Sequence, residues 1–239
     1  MSEDSNPRDL KSESRREVLK LTPLLLLGAF AAPQLRNPLL KCGVAFTDWA
    51  SSKWFRRHHL APTFAPREVT PLEKFFVNTF DVDDPGIDLS TWTLKVSGDV
   101  QRPGDYTLAQ IQSLPKLAQI TQHVCVEGWD AIVPFGGTAI STFLNFVGAN
   151  LNSKFLYVEC ADNYYESIDM MSALHPQSLL CYEMYEQPLT REHGAPLRLR
   201  LPTKVGYKSA KYLTSLRVTD IVPKAGYWED QGYPTNYNL

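Results

Sequence analysis

Residues 123–129 read His123-Val124-Cys125-Val126-Glu127-Gly128-Trp129. The run that leads into them, Ala118 to Glu127, is apolar and β-leaning, so it predicts a strand that delivers a cysteine at its end. The glycine that follows lets backbone come close to a large ligand at that thiol. Several chemistries stay open on these residues alone. Cys125 reads as a buried structural cysteine, or as a thiolate nucleophile activated by His123, since residues two apart on a strand share a face.

Outward from this stretch the chain reads mainly as strands. In Trp92-Thr93-Leu94-Lys95-Val96-Ser97 apolar and polar residues alternate strictly, the signature of a half-buried strand, and Gly98-Asp99 closes it with a turn. Thr107-Leu108-Ala109-Gln110 has capping-box spacing and opens a short helix that ends before Pro115. Ile140, Phe143, Leu144 and Val147 fall at helical spacing, and the helix they define stops at Gly148. Further strands are predicted at Phe155 to Cys160, Tyr164 to Ile168, Leu179 to Met184, Leu197 to Leu201 and Leu213 to Thr219. In the strand from Leu197 to Leu201 the three leucines point one way and force Arg198 and Arg200 onto the opposite face. Strands outnumber short helices and no regular β-α-β alternation supports a doubly wound sheet, so the fold class is α+β, mainly β, with a mixed sheet.

The N-terminus reads as an address. Ser14-Arg15-Arg16-Glu17-Val18-Leu19-Lys20 precedes an apolar run from Leu21 to Ala32, which is too short to span a bilayer but fits a signal core. Ala29-Phe30-Ala31 offers a cleavage site. Residues 1–49 are thus expected to be a twin-arginine-type signal or an uncleaved anchor, residues 50–71, rich in proline, aromatic and basic residues, an extended arm, and residues 72–239 the functional domain. Localisation is expected to be periplasmic or exported, possible membrane anchoring included. Within the arm, Arg56 to His59 form a basic patch.

Composition sets outer bounds. The 239 residues are 44% hydrophobic, enough for one sizeable core, and 24 basic against 26 acidic side chains give a net charge of −2. Nothing in that balance points to nucleic acid, and any affinity for anions must be local. Cys42, Cys125, Cys160 and Cys181 show no C-x-x-C spacing, which argues against a zinc ribbon, an iron–sulfur cluster or attached haem. All but Cys125 are read as small buried hydrophobes, with a Cys160–Cys181 disulfide left open.

Cys-Val-Glu-Gly-Trp at 125–129, taken with His193-Gly194-Ala195-Pro196-Leu197-Arg198 and Pro202-Thr203-Lys204-Val205-Gly206-Tyr207-Lys208-Ser209-Ala210-Lys211, resembles the molybdopterin-binding domain of the sulfite oxidase superfamily. Within it, the chain is most similar to the exported bacterial branch that includes the catalytic subunit of periplasmic methionine sulfoxide reductase. The resemblance runs from about Pro71 to Thr219 and implies a sulfite-oxidase-type molybdopterin fold with Mo-molybdopterin as cofactor. It implies that Cys125 ligates molybdenum and that Asn78, His193, Arg198, Ser209, Ala210 and Lys211 hold the cofactor. Arg198 would clamp its phosphate, a task suited to a guanidinium fork. His193 stands where that branch carries asparagine. Lys204, Lys208 and Lys211 are expected to add to a local anion site, with Tyr207, Trp129 and Glu127 at the substrate mouth and Tyr207 assisting Cys125 in catalysis. The family position near Cys160 to Asp162 is not fixed by the motifs.

The activity implied is two-electron oxygen-atom transfer on a small sulfur-centred substrate, sulfoxide reduction (an oxidised methionine, for instance) or sulfite oxidation. Electrons would pass to or from a separate partner, a cytochrome or membrane haem protein, because the chain carries no haem pattern and its tail from Pro223 is too short for the dimerisation domain of true sulfite oxidases. Two other classes stand beside this one: a cysteine hydrolase using Cys125 and His123, and a cofactor-binding domain without turnover.

Overall fold

The computed structural model describes residues 59–79 and 84–234, together with Cys42 and Phe46. The twin-arginine segment, its apolar run and Arg56 to His58 lie outside the described residues. The chain divides between Thr47 and Asp48, and every element below belongs to the unit from Asp48 onward. No helix among the described residues is long and apolar enough to cross a membrane.

Ten strands follow in chain order: β1 (Thr93–Gly98), β2 (Gly104–Thr107), β3 (Lys116–Val124), β4 (Asp130–Ala139), β5 (Phe155–Cys160), β6 (Tyr165–Asp169), β7 (Leu179–Met184), β8 (Gln187–Pro188), β9 (Arg198–Arg200) and β10 (Leu213–Thr219). Four short helices lie between and after them: α1 (Leu108–Gln112), α2 (Ile140–Phe146), α3 (Met170–Ala173) and α4 (Tyr227–Asp230). One five-stranded sheet has the order β2-β1-β10-β5-β6, and the other runs β3-β4-β7-β8 with β9 added to β7. Among the described residues only β1 and β10 pair in parallel, with Lys95 opposite Ser215, so the sheet is mixed as the sequence predicts.

The alternation read in residues 92–97 appears as β1, where Leu94 and Val96 are buried between more exposed neighbours. α1 begins at the predicted capping box: Thr107 accepts from the Gln110 backbone and the Gln110 side chain returns to the Thr107 backbone. α2 buries Ile140, Phe143 and Leu144. The longest strand, β4, is missing from the sequence reading, because Pro134 and Gly136-Gly137 look like breakers. Pro134 is tolerated because pairing to β7 begins only at Phe135, so on that side it sits at a ladder end.

The strands β7 and β9 divide two cores. Leu180 and Tyr182 of β7, with Leu197, Leu199 and Leu201 around β9, face the main core beside Leu94, Phe143 and Leu216. Leu179 and Cys181 face a second cluster with Phe75, Val133 and Phe135. Arg198 and Arg200 also face that second side, as the two-residue period requires, but both are buried rather than surface cations.

Residues 61–64 contact β3 and the segment that precedes β7. Thr63 bridges Thr121, the Phe64 N–H donates to the Ile120 carbonyl at 3.1 Å, and the Gln177 side chain brackets Ala61. Cys160 and Cys181 are free and buried, so no disulfide joins them, whereas Cys42 is free and exposed and departs from the buried reading.

Candidate functional site

β3 ends at Val124, three residues short of the Glu127 to which the apolar run extends. Past Val124 the chain turns: the Cys125 N–H donates to the Trp129 carbonyl at 2.8 Å and the Gly128 N–H to the Cys125 carbonyl at 3.1 Å. Gly128 has φ +91, a conformation open to glycine at little cost, which explains the Gly in the motif. The turn sets the Cys125 side chain on the wall of a cavity of about 330 Å³, within the size range of small-molecule and cofactor sites.

Every residue named for the cofactor lines that cavity: Asn78, Cys125, His193, Arg198, Ser209, Ala210 and Lys211. So do Glu127, Trp129 and Tyr207. Asn78 Nδ2 lies 3.7 Å from Cys125 Sγ and donates to Glu127 Oε2 at 3.1 Å, and the Trp129 indole N–H donates to the same oxygen at 3.1 Å. The Glu127 carboxylate thus ties the asparagine and the indole together beside the thiol. Burial pushes the Cys125 thiol above its ordinary pKa.

Two buried arginines stand close by, and of these Arg198 lines the cavity. Arg198 donates to the carbonyls of His193 at 3.0 Å and Ser209 at 3.2 Å, and Arg200 donates to Thr121 Oγ1 at 3.0 Å and the Gln122 carbonyl. Both guanidiniums lie over the ring of Phe135, at 5.8 and 4.9 Å from its centroid. Among the described residues no carboxylate pairs with either, and Arg200 Nε is buried without a hydrogen-bond partner. Burial, with Arg198 adding to it, pulls the Arg200 pKa down to about 9. The same cations act on the histidines. His123 is held well below its ordinary pKa by burial and then by Arg200 and Arg198, and His193 falls to about 4 through burial, Arg198 and Lys211. Phe75 stacks on His193 with centroids 5.0 Å apart.

These contacts speak against the hydrolase alternative. His123 Nδ1 lies 3.2 Å from Arg200 Nη1, so it accepts from a cation and cannot also take a proton from a nucleophile there. Among the described residues no hydrogen bond joins His123 to Cys125, and neighbouring guanidiniums oppose the imidazolium that a thiolate–imidazolium pair needs.

Two expected contributors to the anion site are placed elsewhere. Lys204 pairs with Asp169 at 3.3 Å, and Lys208 with Glu166 at 2.8 Å and with Glu229. An ammonium buried this deeply keeps its charge only beside carboxylates, and both lysines found theirs away from the cavity. In the segment left open, Asp162 lines the cavity and Cys160 belongs to the main core. Tyr207 lines the cavity, but its hydroxyl donates to the Pro234 carbonyl at 2.7 Å. The motifs gave no sign of Phe75, Tyr164, Tyr227, Trp228 and Tyr233 as wall residues; the aromatic density of the tail was the available signal.

A two-sheet mixed fold with a thiol just past a strand end and a buried guanidinium on the same cavity matches a sulfite-oxidase-type oxidoreductase domain. The chain matches the family described as oxidoreductase molybdopterin binding domain over residues 81–228, and it belongs to that family. It is 44% identical over 190 residues to a protein of Azospira oryzae provisionally named protein-methionine-sulfoxide reductase subunit YedZ1, covering 79% of this chain and 71% of that one. It is 29% identical over 193 residues to the protein-methionine-sulfoxide reductase catalytic subunit MsrP of Xanthomonas axonopodis, covering 72% of this chain and 59% of that one. Among solved structures it shares the fold of the sulfane dehydrogenase SoxCD from Paracoccus pantotrophus, with a TM-score of 0.53 at 20% identity over 57% of this chain and 40% of that one. The chain is therefore an oxidoreductase domain of the molybdopterin class.

Proposed function

We propose that the cavity holds molybdopterin carrying molybdenum, with Cys125 as the protein's ligand to the metal, and that the chain reduces sulfoxides to thioethers. The observation that carries this reading is the buried Arg198 guanidinium, without a carboxylate partner among the described residues, on the same cavity as the Cys125 thiol. A buried cation left unpaired is costly, and a phosphorylated guest offsets it. The donor set therefore fits the group. Arg198 and Lys211 are assigned to its phosphate, Ser209, Ala210, His193 and Asn78 to its pterin, and Glu127 with Asn78 to the orientation of Cys125. No cluster of three or more His, Cys, Asp or Glu among the described residues could hold a metal by itself, which agrees with a metal that arrives with most of its ligands. When bound, the group supplies two-electron oxygen-atom transfer at sulfur.

Sulfoxide reduction is favoured over sulfite oxidation by the cavity mouth. Phe76 is 60% exposed and Val126 41%, beside Trp129, Trp228 and Tyr233. An apolar, aromatic rim suits a thioether or its sulfoxide, whose sulfur contacts ring edges, better than a small hydrated dianion. The printed names of the relatives, a reductase subunit and a reductase catalytic subunit, point the same way. A catalytic subunit also implies a separate partner, for which we propose an electron carrier, a cytochrome or membrane haem protein. Residues 14–32 support twin-arginine export and a periplasmic or membrane-anchored location, because that route carries proteins already folded around their cofactor.

Loaded protein is expected to reoxidise a reduced viologen dye when given methionine sulfoxide and to pass few electrons from sulfite to ferricyanide. Rapid sulfite oxidation with no sulfoxide turnover would reverse the assignment.

A further inference from the structure

Behind the tail side of the cavity lies a charge cluster that the proposed function does not use. Lys208 Nζ is 2.8 Å from Glu166 Oε1 and also contacts Glu229 Oε1. All three side chains are sealed, at 2% exposure or less. Glu166 comes from β6 and Glu229 from α4, and Gly226 lets them meet: a Cβ there would stand 2.4 Å from Glu166 Oε1 and 2.1 Å from Glu229 Oε2. Two carboxylates thus share one ammonium, and Glu229 Oε2 is buried with no hydrogen-bond partner. Two ionised carboxylates in that position are costly, whereas one proton shared by the pair balances the charge.

From these contacts we infer that the Glu166–Glu229 pair stores one transferable proton for sulfoxide reduction and passes it to the cavity through the Tyr164 hydroxyl. Tyr164 Oη lies 3.4 Å from Glu166 Oε2 and donates to the Tyr207 carbonyl at 2.9 Å, and Tyr164 lines the cavity. The inference rests on the sulfoxide reading. Conversion of a sulfoxide to a thioether breaks the sulfur–oxygen bond and consumes two electrons and two protons, which leave as water. The haem carrier supplies the electrons, the carboxyl pair one proton and solvent the other. Tyr164 accepts the proton of Glu166 Oε2 and releases its own hydroxyl proton as it turns from the Tyr207 carbonyl. Glu166 and Glu229 touch no substrate and act through Tyr164.

The groups facing the pair are consistent with a retained proton. They are Lys208 beside Tyr207, Tyr164 from the β5–β6 turn with Asp162 near it, Tyr157 and Cys160 from β5, and Asp230, held by Tyr165, in the tail. Among the described residues Lys208 is the one cation bonded to the pair. Burial raises both carboxyl groups, Glu166 to about 8, while the two carboxylates overcome burial to hold Lys208 above its ordinary pKa.

Infrared spectra of cofactor-free protein carrying ¹³C-glutamate test the store without any turnover. The inference expects one protonated glutamate band at pH 7 that disappears as pH rises through about 8 and is missing in Glu229→Gln, where Lys208 needs only one counter-charge. In loaded enzyme, Tyr164→Phe is expected to keep the band, leave KM for the sulfoxide unchanged and lower turnover at pH 7 by roughly 100-fold, the scale of lost general-acid transfer, with a flattened alkaline limb. Wild-type protein without the band, or a Tyr164→Phe variant with wild-type rate and pH profile, would overturn it. Loaded protein with the band but no sulfoxide turnover would remove the functional reading and the delivery role together, and would leave only the store.

Discussion

Two buried charge clusters beside one cavity are balanced in opposite ways. On the β9 side, Arg198 and Arg200 are sealed over Phe135 with carbonyls, a hydroxyl and a neutral imidazole for company, so positive charge is left in excess. On the tail side, Lys208 is sealed between Glu166 and Glu229, so negative charge is in excess. The difference teaches what each cluster is for. A cation surplus that opens on a cavity is completed by an anionic guest. A carboxylate surplus closed off from the cavity is completed by a proton.

The largest expected effect comes from removing the shared cation. Lys208→Met strands two buried carboxyl groups and should lower unfolding free energy in denaturant titration by about 3–5 kcal/mol. If the loss were within about 0.5 kcal/mol, the tail-side cluster would be no more than a surface pair. In the cation cluster, Arg198→Ala should weaken cofactor retention by roughly 100-fold, about 2–3 kcal/mol for a charge-assisted contact, while the cofactor-free protein unfolds at nearly the wild-type midpoint. A milder probe is inorganic phosphate. It should raise the Tm of cofactor-free wild type, by about 1.4 kcal/mol of added stability at ten times its Kd, and do little for Arg198→Ala. Equal effects in both proteins would show that the cation cluster is not the anion site.

The smallest effect concerns His193, whose neutrality the cation cluster enforces. Its pKa of about 4 lies below the unfolded value of 6.5, so between those limits the unfolded chain binds the extra proton and stability falls as pH falls. Above pH 6.5 this contribution is fully present. His193→Asn should flatten the acid limb of a stability–pH curve by on the order of 1 kcal/mol, discounted for the group's partial exposure. An unchanged limb would place the imidazole in a wetter setting than the Phe75 stack describes.

The cation cluster was the more legible half. The alternation of leucine and arginine from Leu197 to Leu201 fixes the face on which Arg198 and Arg200 lie, and the motif glycines at 128, 194 and 206 mark turns that bring Cys125, His193 and Tyr207 to one cavity. Local patterns also announced β1, α1 and α2. Only tertiary context could place the tail-side cluster: Glu166, Lys208 and Glu229 sit on three separate segments, and nothing in the sequence separates a lysine that will find carboxylates from one that will face a phosphate. Lys204 and Lys208 were read as anion binders for that reason. β4 escaped because its proline and glycines are breakers by propensity, and the partner strand that makes them harmless lies some fifty residues on. Asp162 was legible only as one residue of a short uncertain segment.

The central claim is that Cys125 and the cation cluster together hold a molybdenum-bearing pterin. Its most direct test is the molybdenum and pterin content of protein purified from a host that makes the cofactor, measured beside a Cys125→Ala variant. The account predicts near-stoichiometric molybdenum with pterin fluorescence in the wild type, and disrupted metal ligation or redox activity in the variant. Folded wild-type protein with neither metal nor pterin, from a host that loads a control enzyme, would contradict it.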